Sequence, residues 1–477
     1  MVERIMEAGR RILKNMFSLS AAEIANKGIS LVTLAYLARV LTPEGLGVIG
    51  WANAFVLYFV FFVDLGFNVI GPREIAKNHE AIRRYVNNIS TIKILSSVVS
   101  YICLVIIAIL IDKPIESKYV LLISGLNVFA NSILFNWVFQ GIEKMGVIAV
   151  RQVTTSVLNL VGVLVFVHNQ NDLILAMVIM IGSLLLNSFW MFFYYVKMYG
   201  WIKFEFDFVF WKELLKSSTP IALTLFIVTL YNNFSIFLLG ILRTDFETGI
   251  YIVAFKMLTF VLIPTGIFQY AFLPQLSRSQ TLGERQRITG KYVLLTILFG
   301  TILTAGCFTF SDFITVLGFG SKYKDSAIVI RMLMVSGMLA YLNVSYSAPL
   351  LSWNYEKKVF WAMLSGGVVN IVLNLILIPK FGVTGAGIAS ISTEITVLIV
   401  LSTIMYSVIK ELYLKIFFKL LFFAIISCVG GYYLMIIGLY PLIAGTISLL
   451  IYIGFNFYFK TIRLTEIKEV IKKKQEK

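Results

Sequence analysis

The chain has 477 residues, 59% apolar and 14% charged, with a mean hydropathy of +0.87 and a formal net charge of +16. Soluble domains hold about a quarter charged residues, so a water-soluble fold is excluded, and apolar stretches of about 20 residues suit membrane-crossing helices rather than the short alternating strands of an outer-membrane barrel. The basic residues sit on short loops rather than in a basic domain, which excludes a nucleic-acid-binding protein, and Cys103, Cys307, Cys428, His79 and His168 are too scattered for a metal cluster or a disulfide framework.

In chain order, the first element is a basic amphipathic stretch with Arg4, Arg10, Arg11 and Lys14. It lacks the short apolar core and cleavage site of a signal peptide, and reads as an interfacial helix on the cytoplasmic side. Fourteen apolar spans follow, at about 16–40, 45–70, 89–111, 119–141, 147–168, 173–197, 217–242, 249–275, 291–312, 327–351, 358–379, 384–408, 417–437 and 441–460. Backbone polar groups in hydrocarbon must be satisfied within their own segment, so the expected fold is an all-α integral membrane protein. Most of the 41 Lys and Arg fall on the N-terminus, the C-terminus and alternate loops. Retention of cations on the cytoplasmic side therefore predicts a multi-pass protein of the inner, cytoplasmic membrane with both termini cytoplasmic.

The longest loop, near 197–217, carries Lys203, Glu205, Asp207, Lys212, Glu213 and Lys216 and follows six spans. It reads as a hinge or linker between an N-terminal six-helix lobe, 1–200, and a C-terminal one, 201–412, with two extra helices and a basic cytoplasmic tail in 413–477. Sliding the chain until Thr42 lies on Thr244 also superimposes Gly47 on Gly249, Ala52 on Ala254 and Pro72 on Pro274. The shared order of turn, glycine, apolar span and proline suggests a parallel repeat.

Ionisable residues inside spans are costly enough to suggest function. Glu23 and Lys27, four apart, share a face of span 1, and Asp64 is expected at similar depth on span 2. Together they read as a wet cavity-lining patch or, in the plainer reading, as an ion-pair cluster pinning two helices. Lys93 and Arg331 lie near span ends and are expected to snorkel to the interface. Lys256 lies deep enough to favour the lumen. Glu394 is mid-span with no cation along its own helix, so it needs a partner, a cavity or a proton, and it is the leading candidate for proton or cation coupling. Amides recur in spans at Asn127, Asn131, Asn232, Asn233, Asn343, Asn370 and Asn374, as sugar-binding groups or as interhelical hydrogen bonds.

Gly45, Gly47 and Gly50 form G-x-G-x-x-G, but between two membrane spans they read as helix-start and close-packing glycines rather than a dinucleotide site. No catalytic grouping, metal site or cofactor motif is present, and no loop is large enough to house one.

The run from Tyr36 to Lys77, with YLARVLTPEGLGVIGWANAF, DLGF and GPREIAK, resembles the opening of the polysaccharide-repeat, Wzx-like flippases of the multidrug/oligosaccharidyl-lipid/polysaccharide exporter superfamily. NLILIPKFGVTGAGIASISTE, from Asn374 to Glu394, resembles that family's late-chain stretch. The resemblance implies two six-helix lobes in a V around a central cavity, alternating access, and a polyprenyl-diphosphate-linked oligosaccharide as cargo for surface polysaccharide. It further implies that Lys27, Arg39, Arg73, Lys93, Lys256 and Arg331 receive the diphosphate, helped by Asn232 and Asn233, and that Glu23, Asp64 or Glu394 couples transport to a proton or sodium ion. A drug/cation antiporter of the same superfamily is the second reading, and a membrane-embedded polysaccharide polymerase the third.

Overall fold

The computed structural model describes residues 2–459 and 461, and the described part contains helices and no strand. The first half comprises α1 (Val2–Val40), α2 (Pro43–Asp64), α3 (Phe67–Lys77), α4 (Ile82–Leu110), α5 (Ile115–Gly125), α6 (Asn127–Ser132), α7 (Asn136–Gly141), α8 (Met145–Phe166) and α9 (Leu173–Tyr199). The second half comprises α10 (Phe208–Leu242), α11 (Asp245–Val261), α12 (Ile263–Arg278), α13 (Leu282–Thr309), α14 (Ser311–Phe319), α15 (Ser326–Ser352), α16 (Glu356–Ile409), α17 (Leu414–Ile436) and α18 (Pro441–Tyr458).

Local sequence explains many of the boundaries. Thr42 caps α2 by accepting from the Gly45 N–H, with Pro43 in the first turn, where its missing N–H costs nothing. Leu65 and Gly66 both take left-handed backbone (φ 46° and 81°) and separate α2 from α3. Thr281 and Glu284 close a capping box at α13.

Among the described residues, eleven helical stretches are long and apolar enough to cross a membrane. A twelfth is counted if α10 is one span, its parts Phe208–Ile227 and Thr229–Leu242 meeting at 43°. The expected fourteen differ from this in two places. The described part of α1 carries Glu23, Asn26, Lys27 and Arg39 and does not form one of the eleven. The expected spans 358–379 and 384–408 both fall in the 54-residue α16, broken where Gly382 departs from helical backbone (φ 55°, ψ −130°). The basic C-terminal tail beyond 461 lies outside the described residues.

Packing divides the chain into two compact units, Met1–Lys256 with Gly367–Ala389, and Met257–Gly366 with Ser390–Lys477. In the first, α1 packs on α8, α8 on α9, and α2 on α4, α5, α6 and α10. Its aromatic core joins Phe67, Phe135, Trp137, Phe139, Met191 and Tyr195. There α3 approaches α7 so closely that a side chain at Gly71 would strike the Trp137 ring. In the second unit α13 packs on α15 and α17, and α17 on α18, around Val293, Tyr346, Leu350, Leu401, Met405 and Leu420.

Candidate functional site

The sequence expectation for the membrane charges is partly overturned by their pairing. Lys93 does not snorkel: it is 1% exposed, and its Nζ lies 3.3 Å from Asp64 Oδ1. Two local facts produce this. α4 begins at Ile82 rather than near 89, which puts Lys93 three turns inside the helix, and the left-handed turn at Leu65–Gly66 ends α2 at Asp64. Asp64 therefore answers Lys93, while Glu23 and Lys27 answer each other at 3.2 Å on a half-exposed face of α1. The expected three-residue patch is thus two separate pairs among the described residues. A buried pair of this kind is strongly destabilised by loss of one partner, whereas an exposed i,i+4 pair contributes a few tenths of a kcal/mol.

In the second unit, half-buried Glu394 finds its partner on α15. Asn343 Nδ2 donates to Glu394 Oε2 at 2.7 Å and to the Glu394 backbone oxygen at 3.0 Å. Asn343 is 3% exposed and its Oδ1 accepts no hydrogen bond among the described residues, leaving a carboxylate beside an unspent carbonyl oxygen. Such oxygens suit a proton or a hard monovalent cation. Arg331 pairs with Asp312 at the exposed end of its helix. Arg39, Arg73, Lys256 and Asn232 expose their side chains, whereas Asn233 is half-buried and donates to its own helix at the Thr229 oxygen, 3.0 Å away. Asn374 donates to Asn370 and accepts from Ser235 at 3.0 Å, which is the interhelical reading of those amides.

The repeat meets itself in space. Thr42 caps α2 at Gly45 N (3.3 Å), and its counterpart Thr244 receives Glu247 N (3.2 Å) at the start of α11. A methyl group on Gly47 would overlap the Asp245 carbonyl, and one on Gly249 would overlap the Pro43 carbonyl. Pro43 and Asp245 are themselves counterparts, so the contact is reciprocal, as a two-fold axis requires. The same holds for Gly50 against Ile252. Gly47 and Gly50 are therefore the close-packing glycines of the motif.

Charges that the sequence placed only as loop residues surround this crossing. Lys113 Nζ lies 2.6 Å from Asp245 Oδ1 and 5.0 Å from the Trp51 ring centroid, and Arg243 grips Glu247 with two bonds of 2.8 and 2.9 Å. Glu247 in turn faces Gly382, where an added Cβ would lie 2.8 Å from its Oε2. Sequence reasoning missed both pairs: Lys113 and Asp245 lie far apart in the chain, whereas Arg243 and Glu247, four apart, carried an i,i+4 signal in a segment read as loop. Arg151, inside the expected span 147–168 but not singled out there, is 9% exposed in α8, its Nε without a partner among the described residues.

Comparison with known proteins adds to this geometry. A family model described as "Polysaccharide biosynthesis protein" matches residues 12–280. The putative O-antigen transporter of Escherichia coli (strain K12) is 23% identical over 393 residues, 80% of this chain and 93% of that protein. The probable low-salt glycan biosynthesis flippase Agl15 of Haloferax volcanii is 25% identical over 163 residues, 34% of each chain. Among solved structures, the lipid II flippase MurJ in an inward closed conformation aligns with a TM-score of 0.75 at 18% identity, covering 93% of this chain and 99% of that one. An inward-facing multidrug resistance MATE family transporter of the MOP superfamily aligns with a TM-score of 0.65 at 15% identity, covering 81% and 96%. At these identities the structures establish a shared multi-span fold. With more than half of its length matched by the family model, the chain belongs to the polysaccharide biosynthesis protein family.

Proposed function

We propose that this membrane protein is a flippase for a lipid-linked oligosaccharide, moving a polyprenyl-diphosphate-linked glycan from the cytoplasmic to the outer leaflet for surface polysaccharide. The observation that carries this reading is the family match, together with relatives named as an O-antigen transporter and a glycan flippase. In this reading the moving parts are the six-helix lobes, 1–200 and 201–412, with 413–477 appended and both termini cytoplasmic. The α2–α11 crossing is one gate: bare backbones at Gly47 and Gly249 bury little apolar side-chain area, so parting them is cheap. The Lys113–Asp245 pair holds the gate shut.

Lys27, Arg39, Arg73 and Lys256, with Arg331 at the rim and Asn232 and Asn233 beside them, serve as the cations and amides that meet the diphosphate and sugars. Lys93 is committed to Asp64 and acts on cargo only through that pair. Glu394, with the Asn343 oxygen, takes up the coupling proton or sodium ion, and Glu23 and Asp64 follow as lesser candidates.

The test is flipping of a lipid-linked oligosaccharide in proteoliposomes under an imposed ion gradient. Lys27→Ala should slow flipping about tenfold, as loss of a charge-assisted contact does. Glu394→Gln should leave residual flipping that no longer responds to the gradient. Unchanged transport in both variants at normal expression defeats the site assignment; wild-type protein that flips no lipid-linked glycan but expels drugs defeats the function.

A further inference from the structure

The segment between α9 and α10 is where the sequence suggests a hinge, and the structure ties it down. After Tyr199, Gly200 takes φ 86° and residues 201–207 run without helix along α4. On α4, Arg84, Asn87, Asn88 and Thr91 recur at helical spacing and form one face. Each oxygen of the Glu205 carboxylate receives a primary amide from that face, Asn87 Nδ2 at 2.7 Å and Asn88 Nδ2 at 2.8 Å. The amide oxygens are used as well: Asn87 Oδ1 accepts from Lys203 N at 3.1 Å and Asn88 Oδ1 from Trp211 Nε1 at 2.8 Å. Thr91 Oγ1 accepts from Glu205 N at 3.2 Å. Arg84 pairs with Asp207 at 3.1 Å and lies 4.2 Å from the Phe210 ring centroid.

A second attachment follows two turns beyond Trp211. A Cβ on Gly66 would lie 3.2 Å from the Ser218 oxygen and 3.3 Å from Ala222 N, so the α2–α3 turn abuts the α10 backbone on both sides of Pro220. That turn is itself held to α4 by Asp64 and Lys93. The first four turns of α10 are thus fastened to α4 twice, and the 43° bend lies beyond them, between Ile227 and Thr229.

We propose that Glu205 is a positioning residue: gripped by Asn87 and Asn88, it latches the start of α10 onto α4, so that 200–207 stays fixed through the transport cycle and the boundary between the moving lobes shifts from 200 into α10 beyond Pro220. A solvated charged loop would leave Glu205 exchanging with water. Here each amide oxygen and nitrogen of Asn87 and Asn88 bonds the segment or Trp211, and Asn88 Nδ2 donates as well to the Arg84 backbone oxygen at 3.0 Å. The proposal rests on the transporter reading for its consequence, but the latch itself can be read without any cargo.

The experiment uses full-length protein with Cys103, Cys307 and Cys428 replaced. A spin label at position 203 should be immobile in the otherwise unchanged protein, mobile in Glu205→Ala and mobile in Asn87→Asp, where two carboxylates face each other. Combining Asn87→Asp with Glu205→Gln exchanges amide and carboxylate and should restore both immobility and flipping; bulk loss of folding would not be rescued in this way. Glu205→Ala should lower the maximal flipping rate about tenfold with half-saturation unchanged. Joining Lys203→Cys to Asn87→Cys by a short, reductant-cleavable thiol crosslinker replaces the side-chain latch with a covalent one and should restore the flipping rate that the uncrosslinked double variant loses, because the latch need not open. A label already mobile beside intact Glu205, or transport abolished by the crosslink and recovered with reductant, overturns the proposal. The label results stand whether or not the cargo is a lipid-linked glycan.

Discussion

At the residue scale, the Lys93–Asp64 pair sets what the N-terminal unit tolerates. Asp64→Asn leaves a buried ammonium without a counter-charge and should cost about 3–5 kcal/mol, seen as a large fall in the midpoint of thermal unfolding in detergent. Lys93→Met combined with Asp64→Leu removes both charges while keeping volume, and should return close to wild type; a double variant as unstable as Asp64→Asn would refute the pairing argument. Asp207 supplies a pH test outside the membrane. The Phe210 backbone N–H, and after it Arg84, hold its carboxyl below the usual carboxylate range. A depressed native value means that this contribution is present above the unfolded carboxylate value, near pH 4, and is lost as pH falls through the native one. Hydrogen exchange at the start of α10 should therefore be flat from pH 7 to about pH 5 after correction for intrinsic rates, then quicken in acid, and Asp207→Asn should remove that step.

These residues also mark the limit of sequence reading. Lys93 appeared close to a span end because Ile82–Ile92, with Arg83, Arg84, Asn87 and Asn88, is too polar to look like membrane helix. Its polar face meets the 201–207 segment more than a hundred positions away, which periodicity does not report. Glu394 was legible as needing a partner, but Asn343 as that partner was not.

At the element scale, the α2–α11 crossing was the most legible feature, because threonine caps and glycines act locally. Its tightness gives a symmetric prediction. Gly47→Ala and Gly249→Ala each place a methyl group on a backbone carbonyl that cannot yield without moving a helix. Each should destabilise by about 1–3 kcal/mol and slow flipping, even though alanine favours helix elsewhere. Gly430→Ala on α17, where nothing lies within 4 Å, is the control and should be neutral or slightly stabilising. Equal effects at all three positions would show that the crossing is not a close contact. What the repeat could not disclose is its lining of ions, since Lys113 and Asp245 come from different parts of the chain with no repeat-related counterpart pair.

At the scale of the molecule, composition fixed a membrane-spanning helical protein, and the resemblance to polysaccharide flippases agrees with the family match. The span count was less secure for a physical reason: hydropathy separates helices only where a polar loop intervenes, and Gly382 breaks α16 without one. Conversely, α1 continues as helix through charges that a hydropathy window penalises.

The grip of α4 on residues 203–207 bears on chain continuity. If those side chains, rather than the peptide bond, hold α10 in place, the polypeptide should tolerate being severed at Gly200. Co-expressed fragments 1–200 and 201–477 should then co-purify and complement each other, whereas a fragment pair carrying Glu205→Ala should drift apart.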